Sequence, residues 1–207
     1  DKIVGLPADL STVEGCESLA HQIAEREEKL DILVNNAGAA WGADYGSFPE
    51  KGWDRTMDLN VKGLFFLTQA LHGTMKNAAT FERPAKVINI ASIDGIKINP
   101  WQTYPYQASK AAVIHLTRRL AAELAPQNIL VSGIAPGAFP SDMNKVARDH
   151  EEAVGKNIPF PRVGTAEDMA GLAIFLAARS GDYICGDTIA CDGGVAYSSL
   201  PGQGIEA

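Results

Sequence analysis

The sequence predicts an α/β fold in which a doubly wound parallel β-sheet is covered by helices on both faces. Short apolar runs alternate along the chain with longer segments of helical periodicity, which is the order of a β-α-β-α chain. These runs are almost continuously apolar, as is typical of parallel strands that are buried on both sides. No repeat, low-complexity stretch or linker interrupts the 207 residues, so we expect a single domain over 1–207.

The first half of the chain contains two predicted strands and two helical regions. KIVGLPADL (2–10) predicts a strand that ends at Asp9. Residues 11–30 predict a helix, because Ser11 followed by Glu14 forms a capping-box pattern. DILVNNAG (31–38) predicts a buried strand that runs into a glycine loop, and 49–77 predicts helix in one or two pieces.

The second half continues the alternation. KVINIAS (86–92) predicts a strand, 105–124 a helix, and NILVSGIAPG (128–137) a strand that stops at a Pro-Gly pair. A polar loop with helical stretches follows over 141–155, then a helix over 166–179 and a last strand, DTIACDGG (187–194).

Composition narrows the class of function. Hydrophobic residues make up 46% and charged residues 21%, and the formal net charge of −7 argues against a nucleic-acid partner. No apolar stretch approaches a membrane span, and the opening DKIVGLPADL does not resemble a signal peptide. We therefore expect a cytoplasmic protein with no membrane partner.

Cysteine and histidine patterns agree with this expectation. Cys16, Cys185 and Cys191 form neither a CxxC motif nor an even disulfide set, which favours a reducing compartment. The four histidines are scattered and lack zinc-ligand spacing, so we predict no metal site.

Polar and small residues stand at the ends of the predicted strands. They are Asp9, Asn35-Asn36-Ala37-Gly38, Ser92 and Pro136-Gly137. Each by itself is more often an ordinary turn. Because ligands of parallel sheets bind beyond the carboxyl ends of the strands, four such ends on one edge favour a shared ligand site.

The stretch YPYQASK (104–110) contains two tyrosines before a lysine. A helix that begins near Pro105 places Tyr106 and Lys110 on one face, while Tyr104 lies six residues from the lysine. A nearby ammonium would lower the pKa of the Tyr106 phenol and make it a general acid. The alternative is a surface tyrosine packed on a lysine stem, and spacing alone favours that alternative.

Several motifs occur together and in a fixed order. They are NNAG (35–38), Asn60 in MDLNVKG, Ser92 in INIAS, YQASK (106–110), APG (135–137) and DGG (192–194). With them the chain resembles the short-chain dehydrogenases/reductases, from its first residue to about Ser198. The stretch IAPGAFPSDM (134–143) and the 14 residues from Ser92 to Tyr106 most resemble the 3-oxoacyl-thioester reductases of the rhamnolipid-synthesis type.

The resemblance implies a Rossmann-like fold and an NAD(P)(H)-dependent oxidoreductase. Such an enzyme transfers hydride between nicotinamide and a carbonyl or secondary alcohol, and a 3-oxoacyl thioester or similar ketone is the best substrate hypothesis. The implied catalytic residues are Asn60, Ser92, Tyr106 and Lys110. Tyr106 would be the general acid or base, Lys110 would assist it by charge, and Ser92 would hold the substrate oxygen. Asn60 would sit at a helix irregularity and hold a water beside Lys110 in a proton relay.

The resemblance also implies the cofactor site. Asp9 and Leu10 would bind the cofactor with Asp9 near the adenine, and Asn36, Ala37 and Gly38 would follow the adenosine ribose. Pro136, Gly137 and Phe139 would line the nicotinamide, Tyr106 and Lys110 would also contact the cofactor, and Ser141 stands where the family usually has Thr. NADP(H) is favoured, and NAD(H) is possible.

Substrate and assembly are less determined. The loop from Phe139 to about Pro161 would cover a small-molecule substrate. Trp101 and Tyr104, from the loop before the helix, and Met143 are candidate contacts in a partly apolar pocket. The alternative, that these residues only pack the lid, is equally open. Family members are commonly homotetramers or homodimers, so the resemblance implies one of these assemblies.

One part of the family pattern does not occur in the sequence. The family usually opens with a strand, a TGxxxGxG turn and a helix, and the present chain matches the family only from the third strand. A βαβ unit takes ~30 residues, so we expect an N-terminally incomplete domain that lacks its first βαβ unit. The strand ending at Asp9 would then lack a neighbour.

Two alternatives to an active enzyme remain open at this point. The chain could be a catalytically inactive fragment, or a relative that only binds a dinucleotide or a partner. The retained Asn60, Ser92, Tyr106 and Lys110 count against the second alternative, and the absent glycine turn supports the first.

Overall fold

The computed structural model describes residues 3–198, and its centre is a parallel sheet of four strands. The strands are β1 (Ile32–Asn35), β2 (Ala85–Ile90), β3 (Ile129–Pro136) and β4 (Thr188–Cys191), and they lie side by side in chain order. In the register, Leu33 lies beside Val87 and Val87 beside Val131. All four carboxyl ends therefore meet at one edge, as the sequence predicts.

Helices connect the strands. They are α1 (Val13–Ala24), α2 (Glu50–Met57), α3 (Leu64–Ala70), α4 (His72–Ala78), α5 (Tyr104–Leu124), α6 (Lys145–Asp149), α7 (Glu151–Gly155) and α8 (Ala166–Ala177). A π-helical turn, Asp58–Gly63, joins α2 to α3, and a one-turn helix, Ile93–Gly95, follows β2. Within residues 3–198, no helix has both the length and the apolar character that membrane crossing requires.

Both faces of the sheet carry an apolar core. On one face, the side chains of Leu33, Val87 and Val131 pack with residues of α1, α3, α4 and α5. On the other face, Ile88 and Ile134 pack against Leu176 of α8. The Rossmann-like, doubly wound arrangement that the sequence predicts is therefore confirmed.

The predicted strand over 2–10 is wrong in its described part, because residues 3–10 have no strand structure. A strand needs a hydrogen-bonded neighbour, and within residues 3–198 the outer edge of β1 pairs with no other strand. Ile3 and Val4 are exposed, as are Ile32 and Val34 on the α8 face of β1. Residues 1, 2 and 199–207, which belong to the predicted domain, lie outside the described residues.

The start of the first helix also differs from the prediction. The N-cap is Thr12, whose hydroxyl accepts the Gly15 N–H at 3.0 Å, and not Ser11. Ser11 instead donates its main-chain N–H and its hydroxyl to Asp9 Oδ1. Helix α1 ends at Ala24 rather than at residue 30. Directly after Ala24 the apolar spacing gives way to the charged run EREEK (25–29).

Candidate active site

Four residues that the sequence singles out lie in one region at the carboxyl edge of β2 and β3. Ser92 follows β2, Tyr106 and Lys110 stand in the first two turns of α5, and Asn60 lies in the π-helical turn. Asn60, Ser92 and Lys110 are only 2%, 7% and 4% exposed. Burial of three polar side chains is costly unless each is hydrogen-bonded, so their partners define the site.

Ser92 acts on Tyr106. Hydrogen bonding by the Ser92 side chain lowers the pKa of the Tyr106 phenol, and the Ser92 hydroxyl accepts the Asp94 N–H at 3.1 Å. This second bond caps the one-turn helix that begins after Ser92. The hydroxyl is thereby held beside the phenol.

Lys110 reaches from α5 to the end of β2. Its Nζ donates to the Ile90 carbonyl at 2.8 Å and lies 5.5 Å from the centroid of the Tyr106 ring. Burial lowers the pKa of Lys110 to about 8, and the nearby Asp94 carboxylate opposes that effect. The lysine lies beside Tyr106 rather than on the surface, so the surface alternative for this pair is wrong.

The expectation that Tyr106 has a lowered pKa is wrong for the protein by itself. Burial of the phenol raises its pKa, because a phenolate is poorly solvated there, and the Asp94 charge adds to the increase. The hydrogen bond from Ser92 lowers the pKa of Tyr106, but this effect is smaller than the increase that burial causes. Tyr106 is therefore held in its protonated form.

Asn60 lies in the π-helical turn, which is the helix irregularity that the resemblance implies. Its Nδ2 donates to the Ala39 carbonyl and to Ser109 Oγ, both at 2.9 Å, while its Oδ1 accepts the Ala39 N–H at 2.8 Å. Ser109 in turn donates to the Tyr106 carbonyl at 2.8 Å. Asn60 thus connects the loop after β1 to the start of α5. Ser109 was missed in the sequence analysis, although its position inside YQASK was a usable signal.

A second polar network lies beneath these residues and was also missed. Asn35 Nδ2 donates to Thr68 Oγ1 at 3.0 Å and to Asn89 Oδ1 at 2.9 Å. Asn89 Nδ2 donates to Thr117 Oγ1 at 3.0 Å. The network joins β1, β2, α3 and α5, and each of its four side chains is buried. Its only sequence signal is polar residues inside apolar runs.

The residues predicted for the adenosine end are mostly exposed. The Asp9 carboxylate accepts two hydrogen bonds from Ser11, which lower its pKa. The Leu10 carbonyl packs on Gly63, where a Cβ would lie 2.1 Å from the oxygen. Asn36 and Ala37 are exposed. These residues line the open side of the sheet edge.

Gly38 connects that open side to the buried residues. A Cβ at this position would lie 3.3 Å from Asn60 Oδ1 and 3.7 Å from Lys110 Nζ. The main chain at Gly38 therefore passes directly over the two polar groups. A larger side chain here would fill the space next to the lysine.

The residues predicted for the nicotinamide end follow β3. Gly137 donates its N–H to the Cys191 carbonyl at 2.9 Å, and Pro136 ends the strand beside it. The Phe139 ring packs on Gly164, where a Cβ would lie 2.4 Å from the ring. Ser141 Oγ accepts the Asn144 N–H at 3.0 Å, so this hydroxyl turns back into its own loop.

The candidate substrate residues have different environments. Tyr104 is the first residue of α5, not a loop residue, and its ring packs edge-on against Tyr45 and Phe48 at 5.7 and 5.8 Å. Trp101 and Met143 are 60% and 54% exposed. Tyr104, itself 36% exposed, therefore packs in an aromatic cluster, and Trp101 and Met143 lie at the surface.

A protein-family model described as enoyl-(acyl carrier protein) reductase matches residues 1–196. The chain belongs to the short-chain dehydrogenase/reductase family. It is 46% identical over 192 residues to the rhamnolipids biosynthesis 3-oxoacyl-[acyl-carrier-protein] reductase of Pseudomonas aeruginosa. The aligned region covers 91% of this chain and 75% of that protein. The chain is 37% identical over 200 residues to the 2-dehydro-3-deoxy-D-gluconate 5-dehydrogenase of Escherichia coli, with 93% and 76% covered.

Solved structures of short-chain dehydrogenases/reductases share the fold. The RhlG/NADP active-site complex of Pseudomonas aeruginosa has a TM-score of 0.87 at 45% identity, covering 91% of this chain and 75% of that one. A gluconate 5-dehydrogenase of Burkholderia cenocepacia, in complex with NADP and tartrate, has a TM-score of 0.83 at 31% identity, covering 93% and 74%. The family resemblance and the oxidoreductase class predicted from the sequence are confirmed, and these similarities support an enzyme rather than an inactive relative.

Proposed function

We propose that the protein is an NADP(H)-dependent ketone reductase whose substrate is a 3-oxoacyl thioester or a similar ketone. The observation that carries the proposal is the set of buried Ser92 and Lys110 with half-buried Tyr106, in which a hydroxyl, an ammonium and a protonated phenol adjoin one another. Reduction of a ketone needs a proton at oxygen when hydride arrives at carbon, and this set contains a donor for that oxygen.

Tyr106 is the proposed proton donor. Its raised pKa keeps the phenol protonated, which suits the reductive direction of the reaction. Ser92 is hydrogen-bonded to that phenol and would hold the same substrate oxygen. Because a carbonyl oxygen gains negative charge as it is reduced, two hydroxyl donors aimed at it would stabilise the transition state.

Lys110 is proposed to stabilise the charge that remains when Tyr106 gives up its proton. An ammonium within a few ångströms of a buried phenolate lowers the cost of forming that phenolate. With one N–H donated to Ile90, the ammonium has two further donors. Asn60 already uses both side-chain N–H groups, so a relay water would donate to its main-chain carbonyl or to the second lone pair of Oδ1, which also accepts the Ala39 N–H.

The residues present fit a nicotinamide dinucleotide. Gly38 leaves space beside Asn60 and Lys110, the exposed main chain at 36–37 is accessible, and Lys110 has donors for ribose hydroxyls. Asp9, Leu10, Asn36, Ala37 and Gly38 would hold the adenosine part, and Pro136, Gly137, Phe139 and Ser141 the nicotinamide part. When bound, the dinucleotide supplies or accepts the hydride. The preference for NADP(H) is supported by the NADP named for two similar structures.

The substrate class is supported by similarity and by the side chains around the site. The similar Pseudomonas aeruginosa protein is a 3-oxoacyl-[acyl-carrier-protein] reductase by name. Tyr104, which lies two residues before Tyr106 in α5, forms an aromatic cluster with Tyr45 and Phe48. Trp101 is close to Tyr104 in sequence. Apolar surface of this kind suits an acyl chain better than a sugar acid.

The test is a steady-state assay of the full-length gene product with NADPH and NADH. A series of 3-oxoacyl thioesters of increasing chain length is compared with 2-dehydro-3-deoxygluconate at matched concentrations. We expect NADPH oxidation with the thioesters and a kcat/KM that exceeds the sugar-acid value by at least tenfold. Faster turnover of the sugar acid would contradict the thioester proposal and would indicate a sugar-acid dehydrogenase of the same family.

We also propose that the protein is a cytoplasmic homotetramer or homodimer. Helix α8 exposes Ile174 and Phe175 over 66% and 39% of their surface, which is unusual for large apolar side chains. Cys16, Cys185 and Cys191 are free thiols, as suits a reducing compartment. Light scattering after size-exclusion chromatography measures the assembly directly, and a monomer at micromolar concentration would refute it.

A further inference from the structure

The loop between β3 and α8 has two parts that are attached differently. Residues 141–157 contain α6 and α7, and among the described residues their hydrogen bonds and ion pairs lead no further than Ile158. Residues 158–165, which we call the wall segment, are bonded to other elements. Phe160 donates its N–H to the carbonyl of Gly193, which follows β4, at 2.9 Å. The wall segment is therefore tied to the carboxyl edge of the sheet, where the candidate site lies.

Gly164 is the point at which the wall segment meets the nicotinamide end of the proposed site. Its N–H donates to the Ala138 carbonyl at 2.9 Å. The Phe139 ring lies against it, since a Cβ at Gly164 would be 2.4 Å from that ring. Phe139 is one of the residues proposed above to hold the nicotinamide. The position of its ring therefore depends on where Gly164 is held.

Packing beneath the wall segment is incomplete. A cavity of about 100 Å³ lies between the segment and the strand ends, and its lining includes Phe139, Phe160, Arg162 and Cys191. Side chains that face a void lose contacting atoms on that side, so packing holds them less firmly. Polar contacts therefore matter more for the position of this segment than for a closely packed one.

Arg162 and Asp168 supply polar contacts on both sides of Gly164. Nη1 and Nη2 of Arg162 donate to the two carboxylate oxygens of Asp168 at 2.6 and 2.9 Å, and Nη1 also donates to the Val163 carbonyl at 3.0 Å. Oδ2 of Asp168 accepts the Thr165 N–H at 2.8 Å. The residue before Gly164 and the residue after it are thus both bound by one ion pair.

The planar guanidinium suits this arrangement better than any other cation. It binds a carboxylate with two parallel N–H groups and has further donors for a main-chain carbonyl, whereas a lysine ammonium is a point charge. Arg162 also lies over the Phe160 ring, 5.1 Å from its centroid. The side chains of Arg162 and Asp168 are 46% and 31% exposed, so the pair should add little to global stability. Its effect is therefore expected to be local.

We propose that Arg162 is a positioning residue for the cofactor: paired with Asp168, it holds Gly164 and thereby keeps the Phe139 ring in place for the nicotinamide. The inference rests on the proposed function, because Phe139 is assigned to the nicotinamide there. A wall that is already in place when the cofactor arrives costs less ordering on binding, which strengthens that binding. The hold of Arg162 on the wall segment is a property of the protein without any ligand.

The first experiment measures main-chain hydrogen–deuterium exchange of the full-length gene product by mass spectrometry, without ligand. In Arg162→Ala, peptides that cover 158–165 should exchange about tenfold faster or more, because local opening of the wall segment becomes easier. Peptides that cover β2 should exchange as in wild type. Lys156→Ala breaks the ion pair between Lys156 and Glu152 in the same loop and is the matched control. It should leave exchange over 158–165 unchanged.

A second variant separates the shape of the guanidinium from its charge. Arg162→Lys keeps the positive charge, but one ammonium cannot bind both Asp168 oxygens and the Val163 carbonyl in the same way. Exchange over 158–165 should therefore be closer to that of Arg162→Ala than to that of wild type. Wild-type exchange in Arg162→Lys would overturn the bridging role of the guanidinium.

The third measurement compares two ligands by calorimetry. NADPH carries a nicotinamide, whereas 2′,5′-ADP carries only the adenosine part of the same cofactor. Because the wall segment lies at the nicotinamide end, Arg162→Ala should raise the Kd of NADPH about threefold or more and leave the Kd of 2′,5′-ADP nearly unchanged. Lys156→Ala should change neither value.

The outcomes separate this inference from the proposed function. Unchanged exchange over 158–165 in a folded Arg162→Ala variant would overturn the role of Arg162, whatever the binding data. Equal weakening of NADPH and 2′,5′-ADP would mean general damage to the site and would overturn the positioning role. A wild-type protein that binds neither compound would contradict the proposed function, and faster exchange in Arg162→Ala would then still support the hold of Arg162 on the wall segment.

Discussion

Two adjacent asparagines of the NNAG stretch mark the difference between two regions of this molecule. Asn35 is buried and joined to Thr68 and Asn89, whereas Asn36, the next residue, is exposed. Asn35, the last residue of β1, bonds to α3 and β2 on the side of the catalytic region, which lies at the ends of β2 and β3 and the start of α5. Asn36 belongs to the open region, which comprises the outer edge of β1 and residues 3–12.

The catalytic region is held by contacts within itself. Ser92, Tyr106, Lys110 and Asn60 each have hydrogen-bond partners among the strands and helices around them. In the open region Asp9 bonds mainly to Ser11, and Ile32 and Val34 are exposed. The contrast teaches that polar side chains at the ends of β2 and β3 can be held firmly in a sheet whose outer strand, β1, is exposed on one face.

The largest expected effect comes from the phenol in the catalytic region. Tyr106→Phe removes the proton donor, so kcat for ketone reduction should fall about 10²–10⁴-fold. Binding of NADPH, measured by calorimetry, should change by less than about threefold, since the ring and Lys110 remain. Tyr104→Phe is the matched control and should retain most of the activity. Equal losses in the two variants would mean that both tyrosines act.

The asparagine pair tests the comparison most directly. Asn35→Ala leaves buried polar groups of Asn89 and Thr68 without a partner and should lower the free energy of unfolding by about 2–3 kcal/mol. Asn36→Ala should change it by less than about 0.5 kcal/mol. Urea denaturation of both variants measures this. A large loss of stability in Asn36→Ala would show that the open region is covered in solution.

A pair of glycines tests how the two regions are joined. Gly63 ends the π-helical turn, and a Cβ there would lie 2.1 Å from the Leu10 carbonyl oxygen. Gly63→Ala should therefore cost about 1–3 kcal/mol of unfolding free energy. Gly73→Ala, in α4 with nothing within 4 Å of the added atom, should be neutral or stabilising by up to about 1 kcal/mol. Thermal unfolding followed by circular dichroism distinguishes the two. Equal stability of both variants would mean that residues 9–10 are not packed on the turn.

The smallest expected effect concerns two valines in neighbouring strands. Val87→Thr buries a hydroxyl in the core beside Leu33 and should cost about 1–2 kcal/mol. Val34→Thr, at a position 47% exposed on the edge strand, should change stability by less than about 0.5 kcal/mol. Chemical denaturation compares them. A loss for Val34→Thr as large as that for Val87→Thr would contradict an open face at β1.

The sequence by itself determined the order of strands and helices and singled out the four candidate catalytic residues. Apolar runs and helical periodicity depend on local spacing, so β1 to β4 and α5 follow from the sequence within a few residues. Ser92, Asn60, Tyr106 and Lys110 stand in motifs whose order along the chain is visible without a structure. The helix irregularity expected at Asn60 is present as the π-helical turn.

Only the tertiary structure decided how these residues affect one another. Residues 3–10 have the composition of a strand, but a strand requires a neighbour, and that depends on distant parts of the chain. The protonation of Tyr106 depends on burial and on Asp94, and neither is visible in the spacing of YPYQASK. The side chains of Asn35, Asn89 and Thr117 meet across 82 residues of sequence. Solvation and long-range contact set these properties, and both are absent from local sequence pattern.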